Sequence, residues 1–226
     1  MNTALAPLID HTLLRADAAE LDVLRLCREA IGCGFAAVCV HPCRLEPAKA
    51  ALAGSRVKLC TVAGFPLGAS TTAVKQFEAA DAVCRGADEV DMVLAIGALK
   101  DRRFDAVRED IRAVAGVLGG RVLKVIIETA LLSDEEKRVA CLLAVEAGAQ
   151  FVKTCTGFAG GGATVADIRL MRSAVGPGFG VKASGGIRTL ADALALVEAG
   201  ANRLGTSAGV AIAAGSAPAS GAPARP

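Results

Sequence analysis

Two lysines stand where a barrel or sheet strand should be apolar. Lys153 sits in "FVKTCTGFAGGGAT" (151–164) and Lys182 in "VKASGGIRT" (181–189), each between apolar residues and a glycine-rich turn. A free lysine, with a pKa of about 10.4, is protonated at neutral pH and not nucleophilic. Burial and a second cation both lower that value. The neutral amine can then attack a carbonyl and form a Schiff base. Lys182, one strand further on, is the natural cationic neighbour for Lys153. Acid–base work on the adduct needs a carboxylate, acting directly or through water, and Asp91 in "EVDMV" (89–93) can supply it.

Asp10, Glu89 and Lys124 also fall inside strand-like runs. Alternation puts Glu89 and Asp91 on one face of their strand. Three acids and three lysines must pair, because an isolated buried charge is expensive. Most are expected near strand C-terminal ends, at a barrel mouth. For one such lysine a structural ion pair or a snorkelling side chain is the better account. Six charges on five strands favour function, since a core built only for stability would carry Val and Ile there.

Three glycine-bearing loops follow the last strands: "TGFAGGGAT" (156–164), "SGGIRT" (184–189) and "GTSAG" (205–209). Any one of them reads as a simple chain reversal. Together they point to backbone N–H groups gathered around a phosphate, next to Lys153.

The elements that must position these groups alternate. Strands are predicted at 6–10, 35–40, 57–63, 88–94, 121–127, 149–154, 178–183 and 202–206, with helices at 17–32, 44–53, 70–86, 104–118, 133–147, 164–175 and 189–199. Asp17, Ser70, Ser133, Thr164 and Thr189 are the expected N-caps, and "SDEE" (133–136) reads as a capping box. Glycines at 34, 86, 148 and 200 suit left-handed helix ends. The series predicts an α/β fold, a single (β/α)8 TIM barrel over 1–212, with a flexible Ala/Pro/Gly/Ser-rich tail at 213–226. An open doubly wound sheet is the alternative, but no G-x-G-x-x-G follows the first strand.

Composition narrows the function. Of 226 residues 53% are apolar, with no Trp or Tyr and seven Phe, so packing rests on aliphatic side chains. A net charge of +2 gives no basic field for nucleic acid. Eight cysteines lack C-x-x-C spacing and only two histidines are present, so no zinc framework is expected and a reducing cytoplasm is. Neither a signal peptide nor an apolar run of roughly 20 residues is visible.

The motifs "LIDHTLL", "VCVHP", "TVAGFPLGAST", "GADEVDMV", "LKVIIETALL", "FVKTCTGFAGGGAT", "VKASGGIRT" and "GTSAG", spread over about 8–212, make the chain resemble the deoxyribose-phosphate aldolases. These are class I aldolases of barrel fold that need no metal or other cofactor. The resemblance implies reversible cleavage of 2-deoxy-D-ribose 5-phosphate to acetaldehyde and D-glyceraldehyde 3-phosphate, in deoxyribonucleotide catabolism. It makes Lys153 the Schiff-base lysine, Lys182 the second active-site lysine and Asp91 the catalytic aspartate, with Lys124 and Asp10 beside them. It puts phosphate near Gly157, Gly185, Gly186 and Ser207. Cys39 and Thr154 are expected at the pocket. Partners are then a phosphosugar and an aldehyde, with no nucleic acid or membrane, and a homodimer or homotetramer is implied.

Two departures stand out. Many members end in a tyrosine that assists proton transfer, and this chain has none. Cys155 replaces a common serine, with little effect expected. His11 and His41 are expected as rim or capping residues rather than bases. Glu128 could meet substrate hydroxyls or bond a neighbouring loop. Arg188 could aid the phosphate or cap locally, and "GFPLGAS" (64–70) could shape the pocket or simply lead into a helix. Two rivals stay open: another phosphosugar enzyme such as a transaldolase, and a phosphosugar-binding barrel without catalysis.

Overall fold

The predicted alternation is realised in a computed structural model that describes residues 4–215. The strands are β1 (Ile9–Leu13), β2 (Ala37–Val40), β3 (Lys58–Ala63), β4 (Glu89–Val93), β5 (Val122–Ile126), β6 (Phe151–Lys153), β7 (Gly180–Ser184) and β8 (Arg203–Thr206). All pair in parallel with their sequence neighbours, and β8 returns to β1, closing the barrel. The doubly wound alternative is thereby excluded.

The helices are α1 (Glu20–Cys33), α2 (Leu45–Ala51), α3 (Thr72–Cys84), α4 (Ile96–Lys100), α5 (Phe104–Val117), α6 (Asp134–Glu146), α7 (Val165–Val175), α8 (Leu190–Glu198) and α9 (Gly209–Ala214). Seven match the predicted segments, and α4 and α9 are additions. Because α9 ends at Ala214, the expected tail begins inside it, and 216–226 lie outside the described residues.

Three caps stand as expected: Ser133, Thr164 and Thr189 accept from the backbone N–H of Glu136, Asp167 and Asp192. Two do not. Helix α1 starts after Ala19, whose N–H is taken by the Asp22 carboxylate, while Asp17 pairs with Arg15. Helix α3 is capped by Thr71, one residue beyond Ser70. Strand β1 begins three residues late because Pro7 lacks an N–H and fits a 3₁₀ turn over Ala6–Leu8. Glycines 34, 86, 148 and 200 all have positive φ at helix ends.

Two layers of core result. Outward strand side chains such as Val38, Leu59, Val90, Val125, Val152 and Val181 pack against the helices in one large apolar cluster. Inside the barrel, a small apolar cluster of Leu14, Ala37, Cys39, Cys60 and Val62 occupies the β2–β3 side, with Phe65 against it. Charged side chains occupy much of the rest, beside Val93 and Ile126.

Candidate active site

Alternation along β4 turns both Glu89 and Asp91 inward, as predicted, and both are buried. Asp91 is the hub. Its Oδ1 accepts from Lys124 Nζ at 2.8 Å and from the Cys60 thiol at 3.2 Å. Its Oδ2 accepts from Lys153 Nζ and Lys182 Nζ, each at 2.8 Å. The register explains the convergence. Asp91 lies opposite Lys124 across β4 and β5, and Lys153 lies opposite Lys182 across β6 and β7.

The remaining carboxylates serve the other cations. Lys182 also bonds Asp10, and Lys124 reaches Glu89 at 2.5 Å. Arg203, the first residue of β8, bonds Asp10 at 2.7 Å and Glu89 at 3.2 Å. Arg203 was not among the sequence candidates, yet alternation puts it on the same face as Gly205, where a Cβ would fall 3.0 Å from Lys182 Cε. Four cations therefore face three carboxylates, where the sequence suggested equal numbers. The expected crowding at strand C-terminal ends also needs correction. Glu89 and Arg203 open their strands, and Asp10, Asp91, Lys124 and Lys182 sit within theirs. Only Lys153 ends its strand, and it lies level with Lys182 in the register.

Electrostatics fixes most protons. Burial would raise the Asp91 carboxyl, but the ammonium groups of Lys124, Lys153 and Lys182 outweigh it and hold it well below the carboxylate range. Asp10 is likewise drawn down to about 2, its burial outweighed by Lys182, Lys124 and Arg203. Burial would lower Lys124 and Lys182, yet Asp91 and Asp10 push both above the usual lysine value. Sγ of Cys39, Sγ of Cys60 and an Asp91 oxygen lie within 4.8 Å of one another. A metal ion there would have to displace ammonium groups from Asp91 and sit among cations, so the donor set does not favour one.

The loop after β6 is clasped to the loop after β7. Thr154 Oγ1 donates to Ser184 O and accepts from Ser184 N, at 2.9 and 3.0 Å, so the expected pocket residue spends its hydroxyl on the scaffold. Cys155 Sγ donates to the same carbonyl at 2.6 Å. Glycine is required at 162 and 185: a Cβ at either would fall 2.8 Å from Gly185 O or Cys155 Sγ. Gly157, Gly185 and Gly186 all have positive φ, Ser207 is exposed, and Thr206 ties the last loop to Ile187 O at 2.7 Å. The structure thus joins the three glycine loops on one side of Lys153.

The secondary candidates divide. His11 lies within β1, not after it, and faces the helices: Nε2 contacts Glu29 at 2.8 Å and the ring packs on Phe35. His41 is a rim residue, donating to Leu14 O at 2.7 Å. Glu128 takes the loop-bonding role, accepting from Thr156 N and Oγ1 at 3.1 and 2.6 Å. Arg188 offers its N–H to the Asp192 carboxylate at 3.2 Å, in the cap of α8. A cavity of about 250 Å³ bounded by Lys49, Arg56, Lys58 and Asp88 opens where β3 begins and shares no residue with the ion cluster. Among the described residues no helix is long and apolar enough to cross a membrane.

Known proteins carry the same architecture. The family model described as DeoC/LacD family aldolase matches residues 4–215. The chain is 58% identical over 216 residues to a deoxyribose-phosphate aldolase 1 of Bacillus licheniformis, covering 95% of this chain and 97% of that one. It is 59% identical over 204 residues to a deoxyribose-phosphate aldolase of Streptococcus pneumoniae, covering 90% and 93%. Among solved structures, a putative deoxyribose-phosphate aldolase of Coccidioides immitis superposes with a TM-score of 0.91 at 43% identity, over 95% of this chain and 86% of that one. A deoxyribose phosphate aldolase from Aeropyrum pernix, described as having a unique tetrameric structure, superposes with a TM-score of 0.89 at 36% identity, over 95% and 91%.

Proposed function

The chain belongs to the DeoC/LacD aldolase family, and we propose that it cleaves 2-deoxy-D-ribose 5-phosphate reversibly to D-glyceraldehyde 3-phosphate and acetaldehyde, with Lys153 as the Schiff-base nucleophile. The observation that carries this reading is the sharing of one Asp91 oxygen by Lys153 and Lys182. Four cations, Lys124, Lys153, Lys182 and Arg203, share three carboxylates, so one cation has no acid of its own. Lys124 and Lys182 are held protonated by their carboxylates, and arginine does not deprotonate. Lys153, whose one carboxylate oxygen is shared with Lys182, is the lysine left least committed to the network.

The chemistry follows. Neutral Lys153 Nζ adds to C1 of the open-chain sugar, and loss of water gives a protonated iminium. A base removes the C3 hydroxyl proton, the C2–C3 bond breaks, and its electron pair flows into the iminium. Glyceraldehyde 3-phosphate leaves, and an enamine of acetaldehyde remains on Lys153. Protonation of the enamine carbon and hydrolysis release acetaldehyde and restore the amine. The iminium is the electron sink. Asp91, with water, and Lys182 are the groups within reach to move these protons. Lys124 and Asp10 hold Asp91 and Lys182 in position.

The phosphate is assigned to the loops carrying Gly157, Gly185, Gly186 and Ser207, on the β6–β8 side. Cys39 lies in the apolar β2–β3 half, the side left for the two-carbon donor. All eight cysteines are free, which suits a reducing cytoplasm. Association into dimers or tetramers fits the tetrameric relative. The test is release of glyceraldehyde 3-phosphate from 2-deoxyribose 5-phosphate, followed by a coupled dehydrogenase. Release by the wild-type protein but not by Lys153→Ala supports the reading, and full activity in Lys153→Ala contradicts it.

A further inference from the structure

The loop after β6 does not stay on its own side of the barrel. Phe158, 39% exposed, meets Phe65 of the loop after β3 edge to face, with ring centroids 5.2 Å apart and planes at 86°. Strands β3 and β6 are separated by β4 and β5, so this contact spans the mouth. Phe65 in turn meets His41 of the loop after β2, at 5.9 Å and 71°, and His41 is fixed to Leu14 O beyond β1. A bridge of three rings therefore runs from the β6 side to the β2 side. It lies over one part of the interior: Phe65 packs against the cluster of Leu14, Ala37, Cys39, Cys60 and Val62.

The far end of the bridge is anchored. Phe158 N–H donates to Thr156 Oγ1 at 3.0 Å, and that hydroxyl donates to Glu128 at 2.6 Å. Glu128 is 1% exposed and holds φ +57°, a conformation that costs a non-glycine residue about 1–3 kcal/mol. Its neighbours Ile127 and Thr129 donate to the carbonyls of Lys153 and Thr154, each at 3.0 Å. The strained residue thus ties the Phe158 backbone to the strand end that carries the nucleophile.

We infer that Phe158, closed on Phe65, is a specificity-determining residue that limits the donor aldehyde to a two-carbon chain. This rests on the aldolase reading above. The argument is spatial. An adduct on Lys153 is bounded by charged groups toward the barrel interior and by the glycine loops toward β7 and β8. The remaining wall is the Cys39–Val62 half, and the aromatic bridge is its roof. C2 of the adduct must stay open to the acceptor carbonyl, and a further carbon on C2, as propanal supplies, would press on this apolar wall and its roof and have to part Phe158 from Phe65. One methylene in an apolar pocket is typically worth about 10- to 200-fold in selectivity.

The test uses the full chain with glyceraldehyde 3-phosphate as acceptor and compares kcat/KM for propanal and acetaldehyde as donors. Phe158→Ala is expected to raise the propanal-to-acetaldehyde ratio about tenfold or more. Phe158→Leu, which keeps apolar bulk and guards against a folding failure, is expected to raise it by a smaller factor. Borohydride trapping of acetaldehyde on Lys153 is run alongside. A trapped adduct with an unchanged ratio in both variants overturns the inference alone. Absence of any adduct in the wild-type protein overturns the aldolase reading and this inference with it.

Discussion

Lys75 and Lys153 are both buried lysines, and they are provided for differently. Lys75, on α3, is fully buried between the barrel and α5. It owns its acid: Nζ donates to Asp110 Oδ2 at 2.6 Å and to Val93 O at 3.0 Å, and Thr72 satisfies Asp110 Oδ1 at 2.8 Å. Lys153 owns nothing. Its single carboxylate oxygen is shared with Lys182, and the other oxygen of Asp91 is held by Lys124. A one-to-one buried pair holds elements together; a cation that shares its only acid is the one proposed above to react. What distinguishes the two lysines is the number of cations per carboxylate, not burial.

The contrast breaks most visibly if the two lysines are exchanged for methionine. On the proposed role of Lys153 as nucleophile, Lys153→Met is expected to lose about 10⁵-fold in kcat, while its urea midpoint stays near that of the wild type because Asp91 keeps Lys124 and Lys182. Lys75→Met is expected to do the reverse. Leaving Asp110 buried without its cation should cost about 3–5 kcal/mol in urea unfolding, with turnover of the folded protein retained. Replacing both partners, as Lys75→Met with Asp110→Leu, should recover most of that loss. An active Lys153→Met or an inactive but stable Lys75→Met would remove the distinction.

Acid sharpens it on the barrel side. The Asp10 carboxyl is depressed in the folded state, to about 2, so the unfolded chain binds more protons near pH 3. Its contribution to stability is complete above the unfolded pKa of about 4 and is lost as pH falls from about 4 toward 2. Asp91, also held low, acts in the same direction. Urea midpoints between pH 5 and pH 2.5 should fall, and Asp10→Asn should flatten that fall. The smallest effect belongs to a solvent-exposed pair. Lys100 and Glu136 meet at 2.7 Å between α4 and α6, and Lys100→Ala should cost less than about 1 kcal/mol.

Local signals carried most of the fold. Helical period and capping residues fixed seven helices to within a few residues, and strand alternation turned Glu89 and Asp91 inward together. The misses have local causes as well. "STT" at 70–72 offers adjacent hydroxyls, and nothing in the sequence distinguishes Ser70 from Thr71 as the cap. Helices α4 and α9 are too short to show a period. Arg203 falls inside the strand predicted at 202–206, but it stands at the start of it beside Asn202 and was not singled out with the other charged strand residues. The site was legible as a set of charged strand residues, but its stoichiometry was not. Pairings such as Lys75 with Asp110, or Phe158 with Phe65, join residues far apart in sequence and are settled by barrel closure alone.

The most direct test of the account is the identity of the nucleophile. The protein is incubated with acetaldehyde and borohydride, its intact mass is measured, and the modified residue is located by peptide mapping. One reduced ethyl group on Lys153, absent from Lys182, Lys124 and Lys75, is the expected result. An ethyl group on Lys182 or Lys124, or none in folded protein, would contradict the assignment of Lys153 as the lysine prepared to react.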